Sequence, residues 1–167
     1  LIGNTYLRDK FLQIRKNYQE QGKILARNTK DPLFYTGCGL YWGEGSKEKN
    51  SVKLTNSDAF LLKLFLDFLY KFFGVTQDTV TLTLNYHDSN GVSFEKIEKY
   101  WLESLNLPRK CLRKASVNKY SKFSSHKKIG KLVYGTARIG VYKTGIVQKI
   151  YGAIQEIGKF NREKWLF

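Results

Sequence analysis

The chain has 167 residues, of which 42% are hydrophobic and 15% aromatic, so it is long enough and apolar enough to fold around a core of its own. Its net charge of +15 exceeds what solubility requires of a small domain and predicts a polyanion or an anionic surface as partner. No apolar run approaches the roughly 20 residues of a membrane span, so we expect no membrane-spanning helix.

Only two cysteines are present, Cys38 and Cys111, and no secretory pattern opens the chain. We therefore expect reduced thiols and an intracellular location in the cytoplasm or nucleoid. Because the chain begins at Leu1 rather than methionine, we expect a processed or excised domain. Whether a further module precedes it stays open.

Residues 6–27 predict a helix, because apolar residues recur at helical spacing among lysines and arginines. Asp31-Pro32 ends this segment. We therefore divide the chain into an N-terminal basic helix or linker, residues 1–32, and a main domain, residues 33–167.

The next predicted helix runs from Leu33 to Glu44 and contains two glycines four residues apart, Gly39 and Gly43, on one face. Glycine in a helix interior costs about 1 kcal/mol relative to alanine, so the pair predicts close approach by another helix. If that helix belongs to a second copy, two Glu44 side chains meet at the helix ends. Paired carboxylates there bind a divalent metal.

Three more helices are predicted. Ser57 or Asp58 caps an apolar helical stripe over residues 60–72. Residues 93–105 carry apolar side chains on one helical face, and the final helix runs over residues 144–157.

Segments 51–55, 79–86 and 138–143 alternate polar and apolar residues, which predicts strands with one buried and one exposed face. Residues 112–117 predict an edge strand, and residues 118–126 a basic loop. In one antiparallel sheet, the exposed face would carry Ser51, Lys53, Thr55, Thr79, Thr81, Thr83, Asn85, Arg138 and Tyr142. Such a mixture of donors, acceptors and cations suits the DNA major groove. The alternative is that threonine simply favours exposed strands.

The charge is unevenly distributed, since no acidic residue occurs between Glu103 and Glu156. Twelve cations occupy that stretch: Arg109, Lys110, Arg113, Lys114, Lys119, Lys122, Lys127, Lys128, Lys131, Arg138, Lys143 and Lys149. A solvated surface normally mixes signs, so this pattern favours a surface that follows phosphates over one that is merely soluble.

The sequence CGLYWGEGS at residues 38–46 resembles a divergent LAGLIDADG motif. SVKLTNSD at residues 51–58 resembles that family's strand-then-helix continuation, and YGAIQE at residues 151–156 is similar to a segment of its bacterial and phage members. The resemblance covers roughly residues 30 to 167. Trp42 stands where the family name has its first acid, and Glu44 takes the place of the second.

The resemblance implies an α+β fold of LAGLIDADG homing-endonuclease type, αββαββα, with an antiparallel DNA-binding sheet. This chain would add an N-terminal helix and an inserted helix. Because only one motif is present, the resemblance implies a homodimer. Its interface would consist of Thr36, Gly39, Leu40 and Gly43.

As function, the resemblance implies sequence-specific cleavage of double-stranded DNA. Glu44 of each subunit and the Gly43 carbonyl would hold Mg²⁺ or another divalent cation, and metal-activated water would attack a phosphate. Lys159 is the basic residue expected to assist the reaction, with Lys53 and Lys143 as alternatives. Besides the strand residues, DNA contacts are expected from Lys47, Lys49, Arg113, Lys114 and Lys143.

Two other functions stay open. LAGLIDADG scaffolds also occur in non-cleaving transcriptional regulators, and the single acid beside Trp42 is compatible with that role. The other is an RNA-binding splicing cofactor, because the family includes intron maturases. For Glu44 itself, the alternative is a helix-end acid that is solvated or paired with Lys47.

Overall fold

The computed structural model describes residues 2–87, 91–118 and 132–167, and this part of the chain is of the α+β class, as predicted. Except for Asn118, the predicted basic loop of residues 118–126 lies outside the described residues. The helices and strands are α1 (Ile2–Asn28), α2 (Pro32–Glu44), β1 (Val52–Asn56), α3 (Ala59–Phe73), β2 (Thr81–His87), α4 (Phe94–Leu105), β3 (Ser116–Asn118), β4 (Thr136–Val141) and α5 (Thr144–Gly158).

Local sequence signals fix where the helices begin. The Asp31 carboxylate accepts from the Leu33 N–H at 2.9 Å ahead of α2, and Pro32 occupies a first-turn position that needs no N–H donor. Asp58 caps α3 in the same way, accepting from the Phe60 N–H at 2.8 Å, as its position predicted. These starts therefore follow from capping chemistry within a few residues.

The sheet has the strand order β1-β4-β2-β3 and is mixed. Strand β2 pairs antiparallel with β4 and parallel with β3. The prediction of an antiparallel sheet was therefore wrong. Helix α4 connects β2 to β3, and a helical crossover of this kind carries the chain back to form a parallel pair. The element order also differs from αββαββα, because α3 lies between β1 and β2.

The chain forms two compact units. The terminal unit consists of Leu1–Lys53 with Tyr142–Phe167, and the central unit of Leu54–Val141.

In the terminal unit, α1 and α5 touch backbone to backbone through glycines. A Cβ on Gly22 would lie 1.9 Å from the carbonyl oxygen of Lys149, and one on Gly152 would lie 1.9 Å from that of Gln19. Such distances leave room only for glycine. This close packing involves Gly22 and Gly152, not Gly39 and Gly43, from which the approach of another helix was predicted.

A ladder of buried glutamines lies along the same helix pair. Gln155 Nε2 donates to Gln19 Oε1 at 2.9 Å, and Gln19 Nε2 donates to Gln148 Oε1 at 2.8 Å. Gln148 Nε2 continues to the Trp165 carbonyl at 3.0 Å. Because buried amides need partners, this chain of bonds fixes the pairing of α1 with α5 and holds the C-terminal segment against them.

In the central unit, α3 packs against α4. Tyr86 stacks on Phe94 of α4 with ring centroids 5.4 Å apart. Since Leu82, Leu84 and Tyr86 alternate along β2, α4 covers the apolar side of this strand. The opposite side of β2 carries its polar residues.

Candidate nucleic-acid interface and carboxylate site

The two central strands of the sheet place polar residues opposite polar residues. Thr83 pairs with Arg138, and Asn85 pairs with Thr136. The alternating positions on the same two strands, such as Leu82, are buried. The buried face of the predicted alternation is therefore confirmed for β2 and β4, whereas the polar residues on the other face are half-buried rather than exposed.

The register defines a polar face of the central unit. Ser116 of β3 belongs to it because it pairs with Asn85. The members are Thr81, Thr83, Asn85, Ser116, Thr136 and Arg138. On β1, Thr55 is exposed next to buried Leu54. Hydroxyls, amides and a guanidinium thus share one surface.

Three predicted strand residues lie elsewhere. Thr79 ends a 3-10 turn, where its hydroxyl donates to the Thr76 carbonyl at 2.9 Å, a local bond that competes with strand pairing. Ser51 precedes β1 and is buried, with its hydroxyl 2.6 Å from the Glu48 carboxylate. Tyr142 follows the end of β4. The placement of Thr79 and Ser51 on the exposed strand face was therefore wrong, whereas Tyr142 lies one residue beyond β4 and is exposed.

The cations of the acid-free stretch divide into paired and unpaired groups. Arg109 pairs with Glu98 at 2.8 Å and Lys110 with Asp78 at 2.5 Å. Within the described residues, no carboxylate pairs with Arg113, Lys114, Arg138, Lys143 or Lys149. Five further cations, Lys119, Lys122, Lys127, Lys128 and Lys131, lie outside the described residues.

Arg113 is held beside the sheet. Its main-chain N–H donates to the Leu82 carbonyl at 2.8 Å, and its guanidinium donates to the Lys110 and Leu112 carbonyls at 3.2 Å each. Its neighbour Lys114 is exposed. Both therefore lie next to the edge of β2 at which β3 pairs.

In the terminal unit, Glu44 is the last residue of α2 and its side chain is exposed. It forms no hydrogen bond or ion pair with any residue in the described ranges. The ammonium of Lys47 donates to the Gly45 carbonyl at 2.6 Å and to the Tyr41 carbonyl at 3.3 Å. Lys47 therefore caps the negative end of α2, where Glu44 alone would be unfavourable.

Burial and the nearby charge of Arg162 lower the pKa of Lys47, and Glu44 partly offsets this. Glu44 and Arg162 therefore each lie close enough to Lys47 to influence its charge. Sequence reasoning missed Arg162, because only the fold brings the segment after α5 back to the end of α2.

Lys159, the predicted assisting basic residue, forms an ion pair with another side chain of the terminal unit. It ends α5 in a left-handed conformation, and its ammonium pairs with Glu156 at 2.5 Å. Arg27 binds the same carboxylate at 2.9 Å. The hydrogen bonds from Arg27 and Lys159 hold the pKa of Glu156 down at about 2. Of the alternatives, Lys53 pairs with Glu48 at 2.8 Å.

The two segments that resemble family signatures meet in the terminal unit. The Tyr41 and Tyr151 rings lie 5.9 Å apart. The Tyr151 hydroxyl donates to the Glu48 carbonyl at 2.9 Å, and Gln148 Nε2 donates to that of Lys49 at 2.9 Å. Burial raises the pKa of Tyr151 further above neutrality. Helix α5 thereby positions the loop that follows Glu44.

The face of α2 expected to form a dimer interface is open. Thr36, Gly39 and Gly43 are exposed, and Leu40 is half-exposed. A Cβ on Gly39 or Gly43 would meet nothing within 4 Å among the described residues. The buried face of the same helix consists of Phe34, Gly37, Cys38 and Tyr41.

The donor atoms at this end of α2 suit a hard cation. The Glu44 carboxylate and the Gly43 carbonyl both offer oxygen, which Mg²⁺ prefers. No cluster of three or more His, Cys, Asp or Glu side chains able to hold a metal occurs in the described ranges. Within the described residues, Glu44 is the carboxylate that α2 itself offers at this end.

Comparison with protein-family models, curated proteins and solved structures found no match for this chain. Among the described helices, none combines the length and apolarity needed to cross a membrane.

Proposed function

We propose that this protein binds double-stranded DNA and cleaves it as a homodimer that depends on Mg²⁺ or another divalent cation, in the manner of homing endonucleases. The observation that carries the proposal is Glu44, an exposed carboxylate without a described hydrogen-bond or ion-pair partner, at the end of a helix whose glycine face is open. In a chain with a net charge of +15, we attribute such an acid to a role in cleavage rather than to the general charge of the surface.

Binding is assigned to the polar face of the central unit. Short hydroxyl and amide groups such as Thr83 and Asn85 can donate to or accept from base edges, and the Arg138 guanidinium matches the two acceptors of guanine. Lys114 and Lys143, which lack described acidic partners, are suited to phosphates. Lys47, Lys49, Lys53, Thr55, Arg113 and Tyr142 remain predicted contacts.

Cleavage is assigned to α2. Two copies joined through Thr36, Gly39, Leu40 and Gly43 would bring two Glu44 carboxylates together. When bound, Mg²⁺ would supply an activated water and stabilise negative charge on the phosphate. Glu44 and the Gly43 carbonyl would hold the cation, while Lys159 remains the proposed assisting group.

A second function, a non-cleaving DNA-binding regulator, is favoured by one observation. Lys47 is an electrostatic neighbour of Glu44, and a positive charge there weakens the binding of a dication. In this function the polar face would still bind DNA, but Glu44 would have only an electrostatic role.

The test is selection from a randomised duplex library with Mg²⁺, for the wild type, Glu44→Gln and Arg138→Gln. Lys99→Gln, an exposed cation on α4, is the matched charge control. We expect the wild type and Lys99→Gln to enrich and cut one sequence, Glu44→Gln to enrich it without cutting, and Arg138→Gln to lose selectivity. Enrichment without cutting by the wild type would favour the regulator, and no enrichment at all would reject both functions.

A further inference from the structure

The terminal unit contains a cavity of about 630 Å³ where the middle of α1 passes the start of α5. This volume lies within the range of small-molecule sites. Its lining includes the rings of Phe11, Tyr18 and Tyr142, together with Arg15, Asn50 and Thr144. None of the described residues that line it is acidic.

Arg15 is buried with its charge uncompensated. Only 9% of the residue is exposed, and its Nε donates to the Leu166 carbonyl at 2.6 Å. Within the described residues its guanidinium makes no other hydrogen bond and no ion pair. Arginine cannot deprotonate in proteins, and a buried charge without a counter-charge is unfavourable. An anion in the cavity would compensate this charge.

The start of α5 provides a second anion-attracting element at the same cavity. Lys143 is the N-cap residue of α5, and no side chain caps the helix. The Ile146 and Val147 N–H groups donate to the Lys143 carbonyl, which leaves those of Thr144 and Gly145 without a described acceptor. The first turn contains no acidic residue. Free N–H groups and the helix dipole together favour an oxyanion here.

The walls of the cavity suit an aromatic body. Phe11 and Tyr142 are large rings that remain 53% and 62% exposed. Nucleobases stack on such rings in single-strand binding proteins. Asn50 accepts from the Thr144 hydroxyl at 3.3 Å through Oδ1, and its amide N–H groups make no described hydrogen bond. They are therefore available to a base edge.

We propose that this cavity binds a 5′-mononucleotide unit, with its phosphate at Arg15 and the start of α5 and its base against Phe11 and Tyr142. The unit is either a free nucleotide or the phosphorylated end of a nucleic-acid strand, since both present the same groups. The site lies wholly in the terminal unit and requires neither Glu44 nor cleavage, so its failure would leave the endonuclease proposal untouched.

Isothermal titration calorimetry of the full chain tests the proposal with AMP, adenosine, inorganic phosphate, and an oligonucleotide with or without a 5′-phosphate. We expect AMP to bind with a Kd of about 1 mM or tighter, and adenosine and phosphate each to bind at least about tenfold more weakly. Tighter binding of the phosphorylated strand than of AMP would assign the site to strand ends.

Three variants locate the site. Arg15→Gln should weaken AMP binding about tenfold or more by removing a charge-assisted bond. Tyr142→Ala should weaken it about tenfold while leaving phosphate binding unchanged, because it removes only stacking. Tyr6→Ala, an exposed tyrosine of α1 outside the cavity, is the control and should bind as the wild type does.

Circular dichroism identifies any variant that fails to fold. If Arg15→Gln is unfolded, Tyr142→Ala decides, because its side chain is exposed and its loss leaves the core intact. The proposal is overturned if neither AMP nor the phosphorylated strand binds at about 10 mM. It is also overturned if the folded variants bind AMP as tightly as the wild type.

Discussion

The same chemical change, glycine to alanine, should have opposite effects at two helical positions of the terminal unit. Gly152 lies in α5 against the backbone of α1, where an added Cβ would be 1.9 Å from the Gln19 carbonyl oxygen. Gly39 lies in α2, where an added Cβ would meet nothing within 4 Å among the described residues. The two substitutions therefore form a matched pair.

The magnitudes follow from two opposing contributions. Alanine raises helix propensity by about 1 kcal/mol at either position. At Gly152 the methyl group must also push two backbones apart, and overpacking of this kind costs about 1–3 kcal/mol. We expect Gly39→Ala to raise the free energy of unfolding by about 1 kcal/mol and Gly152→Ala to lower it by up to about 2 kcal/mol.

Urea unfolding followed by circular dichroism measures both values. It should be run at low protein concentration, because self-association would add a concentration-dependent contribution to stability. At high concentration, sedimentation should show that Gly39→Ala weakens the proposed dimer. Equal stabilities for the two variants would refute the packing argument. A destabilised Gly39→Ala monomer would show that this face of α2 is already covered within the chain.

Three further predictions concern charge. The folded-state pKa of Glu156 is depressed from 4.5 to about 2, so its ion pairs stabilise the fold above pH 4.5. This contribution is lost as the pH falls towards 2. Glu156→Gln should therefore flatten the acid limb of a curve of stability against pH between these two values. Lys47→Ala removes the cap on the last turn of α2 and should lower the free energy of unfolding, measured in urea, by about 1 kcal/mol. The ammonium of Lys49 makes no described contact, so Lys49→Ala should leave that free energy unchanged. Arg138→Gln should reduce the slope of log K against log salt for DNA binding by about one if the guanidinium also neutralises a phosphate, and an unchanged slope would limit it to base contact.

Features that depend on short-range chemistry could be predicted from the sequence. Asp58 caps α3 because its carboxylate reaches N–H groups two and three residues ahead, and no distant contact is needed. The alternation of Leu82 and Leu84 with threonines likewise predicted the buried side of β2, because it depends on neighbouring residues alone. Thr79 was misplaced because its hydroxyl forms a turn bond that strand periodicity alone does not indicate.

Features that depend on contacts between distant residues could not be predicted. The glycine pair that brings two helices together is Gly22 with Gly152, and neither spacing nor composition links positions so far apart. The parallel pairing of β3 depends on the path of α4 rather than on the three residues of β3 themselves. For the candidate site, Glu44 was identified from its motif, but Arg162, which influences the adjacent Lys47, comes close only in the fold.

The most direct test of the central claim is the cleavage rate of a duplex recovered by selection, measured with Mg²⁺ for the wild type and for Glu44→Gln. Glutamine keeps the shape of the side chain and removes the charge that would hold the cation. We expect Glu44→Gln to bind the duplex as the wild type does and to cleave it at least about 100-fold more slowly. Cleavage by Glu44→Gln at the wild-type rate, or binding without cleavage by the wild type, would contradict the endonuclease assignment.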